Sequence, residues 1–194
     1  MLVCKGLSKA YQNVLVFKDV NLHFGQRSHL LIGSNGSGKS TLLRILAGLE
    51  APYKGEVNWQ FPSTPRIAFA SESVLPPDVY TAKEVFALVE NYNEVDFNKK
   101  AELIDALEFM AFLDTKVAEL SSGSLKKLLL ICALMKKSEV LLLDEPFASL
   151  DKISQEKMQE FILRDERFRI VVDHHQLMPN EGIVEMPNSA KAKL

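Results

Sequence analysis

A chain of 194 residues that is 47% hydrophobic and 25% charged has enough apolar material for a sizeable core, which excludes a disordered protein and a small disulfide scaffold. The 23 Lys and Arg residues are balanced by 25 Asp and Glu residues, so the net charge of -2 provides no general attraction for nucleic acid, and we expect no such partner. Cys4 and Cys132 lie far apart in apolar runs, which is typical of reduced thiols in the cytosol.

The sequence does not indicate a signal peptide or a membrane span. Lys5 interrupts the short apolar stretch at the N-terminus. The longest apolar run, residues 128–135, is far shorter than the roughly 20 residues of a membrane-spanning helix. If the protein acts at a membrane, we expect a separate partner to span it.

The pattern of apolar residues predicts an alternation of strands and helices. Short apolar or β-branched runs predict strands at residues 2–7, 14–24, 28–32, 56–59, 67–70, 140–143 and 168–172. Helical spacing of apolar residues predicts helices at residues 39–47, 81–92, 99–112, 122–136 and 152–163. Such an alternation is typical of an α/β fold with a parallel sheet. The polar tail at residues 187–194 is expected to fray.

A glycine-rich loop lies between the third predicted strand and the first predicted helix. It matches the P-loop pattern and consists of Gly33, Ser34, Asn35, Gly36, Ser37, Gly38, Lys39, Ser40 and Thr41. In such a loop the glycines allow backbone N–H groups to surround phosphate oxygens at a helix N-terminus. We expect Lys39 to contact the β- and γ-phosphates of ATP and Ser40 to bind Mg²⁺. A merely flexible glycine loop is the alternative, which the position between strand and helix disfavours.

Two carboxylates follow the apolar strand predicted at residues 140–143. Asp144 would hold Mg²⁺ through its water shell, and Glu145 would polarise the water that attacks the γ-phosphate. Two acidic residues after a strand are more often a helix cap or a turn. The P-loop upstream in the same predicted sheet favours the catalytic interpretation.

A short stretch between the P-loop and the carboxylate pair resembles the signature motif of the ABC ATPase family. Ser121 and Gly123 match the family pattern. Ser122 stands where the family has a glycine, and Ser124 stands where it has a glutamine. A serine cap at the start of a helix is the alternative interpretation. The order of the three motifs in one chain favours the resemblance.

The resemblance covers about residues 2–175 and implies the fold of an ABC ATPase domain. That fold is α/β, with a P-loop NTPase core built on a mostly parallel sheet, an N-terminal antiparallel β subdomain and a small helical insert. We expect a single domain over residues 1–194, with the core at about 1–72 and 137–194 and a helical subdomain at about 73–136.

The resemblance also assigns roles to residues outside the three motifs. Tyr11 would stack on adenine, and Ser149 and Asp151 would belong to the D-loop. His174 would be the switch histidine that reaches the γ-phosphate, although His175 follows it directly and the choice between the two depends on register. The ordinary alternatives are a packing role for the tyrosine, a helix start for the serine and aspartate, and a solvated loop histidine.

Two such subunits are expected to associate head to tail, as a homodimer. Each ATP would then lie between the P-loop of one copy and the signature residues Ser121 and Gly123 of the other, whose hydroxyl and N–H groups would approach the γ-phosphate. Within each site Glu145 would orient the attacking water while His174 reaches the γ-phosphate.

Glu72 is the main departure from the family pattern. The family places a glutamine after the strand predicted at residues 67–70, where this chain has Ser71 and Glu72. The register assigns Glu72 to this Q-loop position, which senses Mg²⁺ and signals to the helical insert. A carboxylate binds Mg²⁺ but does not donate a hydrogen bond, so we expect altered turnover or coupling. The alternative is a divergent loop in which Glu72 faces solvent.

The resemblance implies ATP binding and hydrolysis with Mg²⁺ as the cofactor. A compact domain favours the nucleotide-binding subunit of an ABC transporter, peripheral on the cytoplasmic face of the membrane through an integral membrane permease. The short insert resembles that of haem-exporter subunits, and residues 73–119, with Pro76, Pro77 and Tyr80, are the expected docking surface. One alternative is a soluble ABC ATPase that acts as an assembly or regulatory switch. Another is a degenerate protein that binds ATP without turnover, which the intact P-loop and carboxylates disfavour.

Overall fold

The structure is a computed structural model that describes residues 1–12, 14–52, 54–174, 177–178 and 182–187. Its strands are β1 (Leu2–Tyr11), β2 (Val14–Phe24), β3 (Ser28–Ile32), β4 (Lys54–Trp59), β5 (Ile67–Ala70), β6 (Val140–Asp144), β7 (Phe168–Val172) and β8 (Gly182–Glu185). Its helices are α1 (Lys39–Leu46), α2 (Ala82–Tyr92), α3 (Phe97–Ala106), α4 (Ser122–Met135) and α5 (Lys152–Arg164). Among these residues, we find no helix that combines the length and apolar character needed to cross a bilayer.

The strands form two sheets. The larger sheet has five parallel strands in the order β5-β6-β7-β3-β8, and the smaller has three antiparallel strands in the order β2-β1-β4. Short connections cannot join parallel neighbours, so helices cross between the strands of the larger sheet. This arrangement confirms the predicted α/β fold with a parallel core sheet and an N-terminal antiparallel β portion.

Strand β6 shows why the core strands are apolar without alternation. Side chains of successive residues point to opposite faces of a sheet. Val140 and Leu142 therefore belong to one hydrophobic cluster, and Leu141 and Leu143 belong to the other. Since both faces of β6 are covered, all of these side chains are fully buried.

The two clusters fix the layers of the molecule. One cluster joins a face of the parallel sheet to α1 and the antiparallel sheet, and it includes Leu42, Leu43 and Phe17. The other joins the opposite face to the remaining helices, and it includes Phe86 and Leu130. Each fully buried side chain of this size stabilises the fold by about 1.5–3 kcal/mol. Helix α1, which starts at the P-loop, is thus held rigidly between the two sheets.

The two cysteines lie in different clusters. Cys4 is buried in the cluster of the antiparallel sheet, and Cys132 packs against the other cluster. Both are free thiols, and burial raises the pKa of each to about 12.

The bounds predicted for the helix at residues 99–112 are wrong, because α3 spans Phe97–Ala106. Helix α3 begins earlier, because the side chain of Asp96 accepts a hydrogen bond from the N–H of Lys99 and caps it. It ends at Ala106, since Glu108 adopts a left-handed conformation with φ 53° and the chain continues as a 3-10 turn at Met110–Phe112. This turn allows Phe109 to enter the core, where it is fully buried.

Strand β8 was not predicted from the sequence. It is four residues long and only partly buried, so it lacks a strong apolar pattern. It pairs in parallel with β3, where Leu30 lies opposite Ile183. Tertiary pairing therefore creates this strand, not local preference.

The order of the strands positions the candidate site. Strands β6, β7 and β3 are neighbours in the parallel sheet, so their carboxyl ends lie at the same edge. Ligands of open α/β sheets bind beside this edge. The P-loop follows β3, Glu145 follows β6 and His174 lies just after β7, so the three segments meet there.

Candidate functional site

A cavity of about 330 Å³ lies at the carboxyl edge of the parallel sheet. Its lining comprises P-loop residues, a short part of β2, the proposed base and the proposed switch histidine: Val14, Leu15, Val16, Asn35, Gly36, Gly38, Lys39, Ser40, Thr41, Glu145 and His174. An adjoining cavity of about 280 Å³ includes Gly33, Ser34, Lys39 and His174. The structure thus brings together most of the residues that the sequence predicted for nucleotide binding and hydrolysis.

The backbone of the P-loop requires glycine at position 38. Gly38 has φ 96°, a conformation that other residues rarely adopt. A Cβ atom there would lie 2.7 Å from Cδ1 of Phe17 and 2.8 Å from Cγ1 of Val16. Gly38 is the N-cap of α1 and lines the cavity, so the N-terminus of this helix lies at the cavity wall.

Lys39 is held over the loop by backbone carbonyls. Its Nζ donates hydrogen bonds to the carbonyl oxygens of Gly33, at 2.8 Å, and Ser34, at 3.1 Å. Burial lowers the pKa of Lys39, while the carboxylates of Glu145 and Asp144 oppose this effect. The ammonium is therefore a positive charge of low hydration at the cavity wall, suited to phosphate oxygens.

Three oxygen-bearing side chains meet at the end of β6. The Ser40 hydroxyl donates to Oδ1 of Asp144 at 3.1 Å, and the Ser71 hydroxyl donates to Oδ2 of the same carboxylate at 2.9 Å. Asp144 is 8% exposed. Hydroxyl and carboxylate oxygens are the ligands that Mg²⁺ prefers, so this group of residues fits a magnesium ion.

Ser71 was not predicted from the sequence. It follows β5, whose last residue, Ala70, pairs with Leu143 immediately before Asp144. Two adjacent parallel strands place the residues that follow them side by side. The signal in the sequence was a polar residue directly after the predicted strand at residues 67–70. Using it to find Ser71 required knowing that this strand lies beside β6, which is the strand order of the folded sheet.

Glu145 and His174 form a close pair. Nε2 of His174 lies 3.0 Å from Oε1 of Glu145, and the side chains are 45% and 27% exposed respectively. Burial raises the pKa of Glu145, and the nearby His174 opposes that rise. Glu145 adopts φ 51° and is fixed there by the hydrogen bond from its N–H to the carbonyl oxygen of Val172, at 2.8 Å. The candidate base is thus partly desolvated and rigidly held.

Glu72 does not contact Asp144 in this structure. Its carboxylate lies 2.7 Å from Nζ of Lys126, on α4, and its side chain is 51% exposed. The residue beside it, Ser71, is the one that contacts Asp144. A role of Glu72 in sensing Mg²⁺ stays a prediction.

The signature residues lie at the N-terminus of α4, outside the lining of their own P-loop cavity. Ser121 is the N-cap, and its hydroxyl oxygen accepts from the N–H of Ser124 at 3.1 Å. A Cβ atom on Gly123 would lie 2.8 Å from the carbonyl oxygen of Ser149. The two residues are therefore positioned by capping and close packing, and their role in a second copy stays a prediction.

The D-loop residues take part in local structure. Ser149 has φ 64°, which turns the chain after the carboxylate pair. Asp151 caps α5, accepting from the N–H of Ser154 at 2.9 Å and from its hydroxyl at 2.6 Å. These bonds hold the pKa of Asp151 at about 2. These contacts agree with the alternative in which the serine and the aspartate start a helix. A D-loop role for Ser149 and Asp151 stays a prediction.

Tyr11 lies outside the lining of the cavity. Its hydroxyl donates to Oε2 of Glu50 at 2.6 Å and accepts from Arg44 at 3.0 Å, while the residue is 42% exposed. The apolar residues at positions 14–16 line the cavity instead, which the sequence did not predict. Stacking of Tyr11 on adenine stays a prediction. His175 and the tail at residues 188–194 lie outside the described residues.

A larger cavity, of about 880 Å³, lies at the opposite edge of the sheet. Arg27, Glu139 and Phe168, which line it, stand at the amino ends of β3, β6 and β7. It contains no P-loop residue. Because ligands of such sheets bind at the carboxyl edge, the smaller cavity is the candidate site.

A parallel sheet with a glycine loop that leads from β3 into a buried helix, and with an Asp and a Glu at the end of β6 in the same sheet, defines a P-loop nucleotide-binding domain. The sequence model of the family described as ABC transporter matches residues 17–148 of this chain. The chain therefore belongs to the ABC transporter family.

Two curated relatives show the extent of the similarity. The chain is 34% identical over 166 residues to the aliphatic sulfonates import ATP-binding protein SsuB of Corynebacterium glutamicum, with 82% of this chain and 66% of that protein covered. It is 32% identical over 201 residues to the lipoprotein-releasing system ATP-binding protein LolD of Saccharophagus degradans, with 92% and 88% covered. The chain thus spans less than two thirds of the first relative and most of the second.

A solved structure agrees with the fold. A bacterial ABC transporter cassette, described as dimeric, superimposes with a TM-score of 0.83 at 23% identity, with 100% of this chain and 98% of that chain covered. At this identity the similarity concerns the fold alone. The closer resemblance to haem-exporter subunits stays a prediction.

Proposed function

We propose that this chain binds and hydrolyses ATP as the nucleotide-binding subunit of an ABC transporter whose membrane-spanning permease is a separate partner. The observation that carries the proposal is the convergence of Lys39, Ser40 and Glu145 on one cavity. The curated relatives described above are named as import and release ATP-binding proteins. We therefore favour a transporter subunit over a soluble ABC ATPase that acts as an assembly or regulatory switch.

The P-loop would bind the phosphates of ATP. The N-terminus of α1 and the ammonium of Lys39 supply positive charge at the cavity wall. Phosphate oxygens would replace the carbonyl oxygens that Lys39 now contacts. Mg²⁺, when bound with ATP, would neutralise charge on the β- and γ-phosphates, and Ser40 and Asp144 would hold it.

Glu145 would orient the attacking water and accept its proton. Its raised pKa makes its ionised form a better base than an exposed carboxylate. His174 contacts the same carboxylate and lines the same cavity, so it would hold Glu145 in place and face the γ-phosphate. Both groups act by position and electrostatics, as phosphoryl transfer requires.

The signature residues would act in a second copy of the chain. Ser121 is exposed at the N-terminus of α4 and does not line the P-loop cavity of its own chain. A head-to-tail homodimer would place this helix N-terminus against the γ-phosphate bound by the partner. The solved cassette with the same fold is itself described as dimeric.

The permease would dock on the loop after β5. Val74, Leu75 and Val79 in this loop are exposed apolar side chains, at 42%, 50% and 73%. Exposed apolar side chains grouped together are typical of a protein interface. The loop would begin the helical subdomain, at about residues 73–136, beside the core at about 1–72 and 137–194. Docking there would place the chain on the cytoplasmic face of the membrane.

Phosphate release by the purified protein, measured with and without Mg²⁺, tests the proposal. We expect Glu145→Gln to lower kcat at least about a hundredfold, the typical contribution of a general base. Its ATP affinity should stay near that of the wild type. Glu160→Gln, on the exposed face of α5, is the matched control and should retain the wild-type rate.

Two further measurements extend this test. The Glu145→Gln variant should dimerise when ATP is added, as seen by light scattering, and the chain should co-purify with an integral membrane protein from its own cells. Hydrolysis that survives Glu145→Gln would overturn the assignment of the base. A variant that stays monomeric with ATP bound would contradict the dimer.

A further inference from the structure

Lys126 is a buried lysine in α4 that has two partners. Its side chain is 3% exposed, and its Nζ lies 2.7 Å from Oε1 of Glu72 and 2.9 Å from the backbone carbonyl oxygen of Glu145. An ammonium group removed from water destabilises the fold unless a carboxylate and hydrogen-bond acceptors surround it. Glu72 supplies the negative charge, and the backbone of Glu145 supplies a carbonyl oxygen that accepts a hydrogen bond from the ammonium.

The carbonyl that Lys126 contacts belongs to a residue in a strained conformation. Glu145 has φ 51°, which residues other than glycine rarely adopt, so surrounding contacts must hold it there. Its N–H bonds to the carbonyl oxygen of Val172, and its own carbonyl accepts from Lys126 at 2.9 Å and from the N–H of Ala148 at 3.3 Å. Lys126 therefore makes the shorter of the two bonds on the carbonyl side. The direction of the Glu145 carboxylate depends on this backbone.

Helix α4 contacts the same segment at two more points. Gly123 packs so closely on the backbone of Ser149 that a Cβ atom would lie 2.8 Å from its carbonyl oxygen. Lys127 lies 3.7 Å from Oδ2 of Asp151. The segment at residues 145–151 therefore lies against the first turns of the helix that carries the signature residues, and Lys126 is its link to the proposed base.

We propose that Lys126 is a positioning residue for hydrolysis and that Glu72 is its counter-ion. Lys126 holds the carbonyl of Glu145 so that the carboxylate points into the cavity beside His174. Glu72 balances the charge of the buried ammonium and holds it in place through the 2.7 Å contact. In this assignment Glu72 acts through Lys126 and not as a ligand of Mg²⁺. The inference rests on the proposed function, since it requires Glu145 to act on the attacking water.

The alternative is an ion pair that serves stability alone. Such a pair would change the melting temperature and leave the turnover of the folded protein unaltered. A positioning role changes kcat with little effect on ATP affinity, because neither Lys126 nor Glu72 lines the nucleotide cavity. The split between kcat and affinity therefore separates the two explanations.

Four proteins test the inference: the wild type, Lys126→Met, Glu72→Gln and the double variant. Methionine keeps the length and apolar stem of the lysine while removing the ammonium. Kinetics of phosphate release give kcat and KM, equilibrium binding gives the Kd for ATP, and thermal unfolding gives the stability of each variant. Lys136→Met, which removes a half-buried ammonium at the other end of α4, is the matched control.

We expect Lys126→Met to lower kcat at least about tenfold, since a small misplacement of a reacting group costs up to about a hundredfold. The Kd for ATP should stay within about twofold, because the nucleotide cavity is unchanged. Glu72→Gln should have a smaller effect on kcat, because its amide oxygen still accepts from Lys126. In the double variant kcat should not fall below that of Lys126→Met, since the two residues act as one unit.

The Mg²⁺ dependence of Glu72→Gln provides a second readout that does not require Lys126→Met to fold. If Glu72 is a counter-ion, kcat falls and the Mg²⁺ concentration for half-maximal rate stays the same. A shift of that concentration would assign Glu72 to the metal and overturn the inference.

Two other results would also overturn it: an unchanged kcat in a folded Lys126→Met protein, or effects of the two substitutions that simply multiply. None of these results touches the proposed hydrolysis of ATP, which fails if the wild type releases no phosphate. Phosphate release that is unchanged in Glu145→Gln overturns the assignment of the base, on which the inference rests.

Discussion

Nε2 of His174 lies 3.0 Å from Oε1 of Glu145, and the backbone N–H of His174 lies 3.4 Å from Oε2 of the same carboxylate. The two residues meet because β6 and β7 are parallel neighbours in which Asp144 pairs with Val172. The contact joins the candidate base to the candidate switch residue. The charge state of Glu145 should therefore depend on His174.

The first prediction concerns pH. Burial raises the pKa of Glu145 and His174 opposes the rise, so removal of the imidazole should raise that pKa further. A base must be ionised, so kcat should fall as the pH is lowered, with a midpoint above the ordinary value of 4.5. His174→Ala should move this midpoint to higher pH as well as lower the maximal rate. The measurement is kcat against pH.

The matched control for this pH profile is the unfolding temperature at each pH, which must show that both proteins stay folded. The same midpoint in His174→Ala and the wild type would contradict the coupling of the two side chains.

The second prediction concerns the P-loop. Gly38→Ala would combine a left-handed backbone with a Cβ atom 2.7 Å from Cδ1 of Phe17. We expect a loss of about 1–3 kcal/mol in the free energy of unfolding from the backbone alone, and at least about tenfold weaker ATP binding because the loop must shift. Denaturant unfolding and equilibrium ATP binding measure the two effects.

Gly48→Ala is the control for this substitution. Gly48 also has a positive φ, of 74°, but no atom lies within 4 Å of its added Cβ. The Gly48→Ala protein should lose stability through backbone strain and keep the ATP affinity of the wild type. Equal effects of the two substitutions on ATP affinity would show that the contact with Phe17 does not matter.

The third prediction concerns Ser71. Its hydroxyl donates to Oδ2 of Asp144, and a hydrogen bond to a charged group contributes about 1.5–3 kcal/mol. Ser71→Ala should therefore raise the Mg²⁺ concentration for half-maximal hydrolysis by up to about tenfold, since part of that free energy holds Asp144 in place. The measurement is a Mg²⁺ titration at saturating ATP. Ser63→Ala, at an exposed serine, is the control, and an unchanged midpoint in Ser71→Ala would remove Ser71 from the site.

The fourth prediction concerns a buried ion network away from the nucleotide cavity. Burial alone would raise the pKa of Asp165, but Arg167 and Lys99, both at 2.7 Å, overcome it and hold the pKa at about 2. Asp165→Asn would leave two cations without their carboxylate. We expect a loss of about 3–5 kcal/mol in the free energy of unfolding at neutral pH.

The sign of the pH dependence follows from the lowered pKa. The carboxylate stabilises the fold above its unfolded pKa of 3.8, and this stabilisation is lost as the pH falls toward about 2. The difference between the wild type and Asp165→Asn should therefore shrink in acid. Denaturant unfolding at several pH values measures it, and ATP affinity, which should not change, is the internal control. If the difference in the free energy of unfolding between the two proteins stayed constant down to acid pH, the charge of Asp165 would not be the cause of the lost stability.

The sequence by itself determined the chemistry-bearing motifs. Glycines, Lys39 and Ser40 stand at the fixed spacing of a P-loop, and Asp144 and Glu145 follow an apolar run. These signals are local, because the loop conformation and the buried strand each depend on a few consecutive residues. For the same reason the predicted bounds of β2, β3, β5 and β7 agree with the structure.

Only the tertiary structure decided which residues meet. Ser71 reaches Asp144 because β5 lies beside β6, and Glu72 pairs with Lys126 because α4 packs against the loop after β5. The weak strand β8 exists because β3 offers a free edge for pairing. Each of these contacts joins segments far apart in the chain, and their formation depends on strand order and helix packing, which a local pattern of residues does not contain.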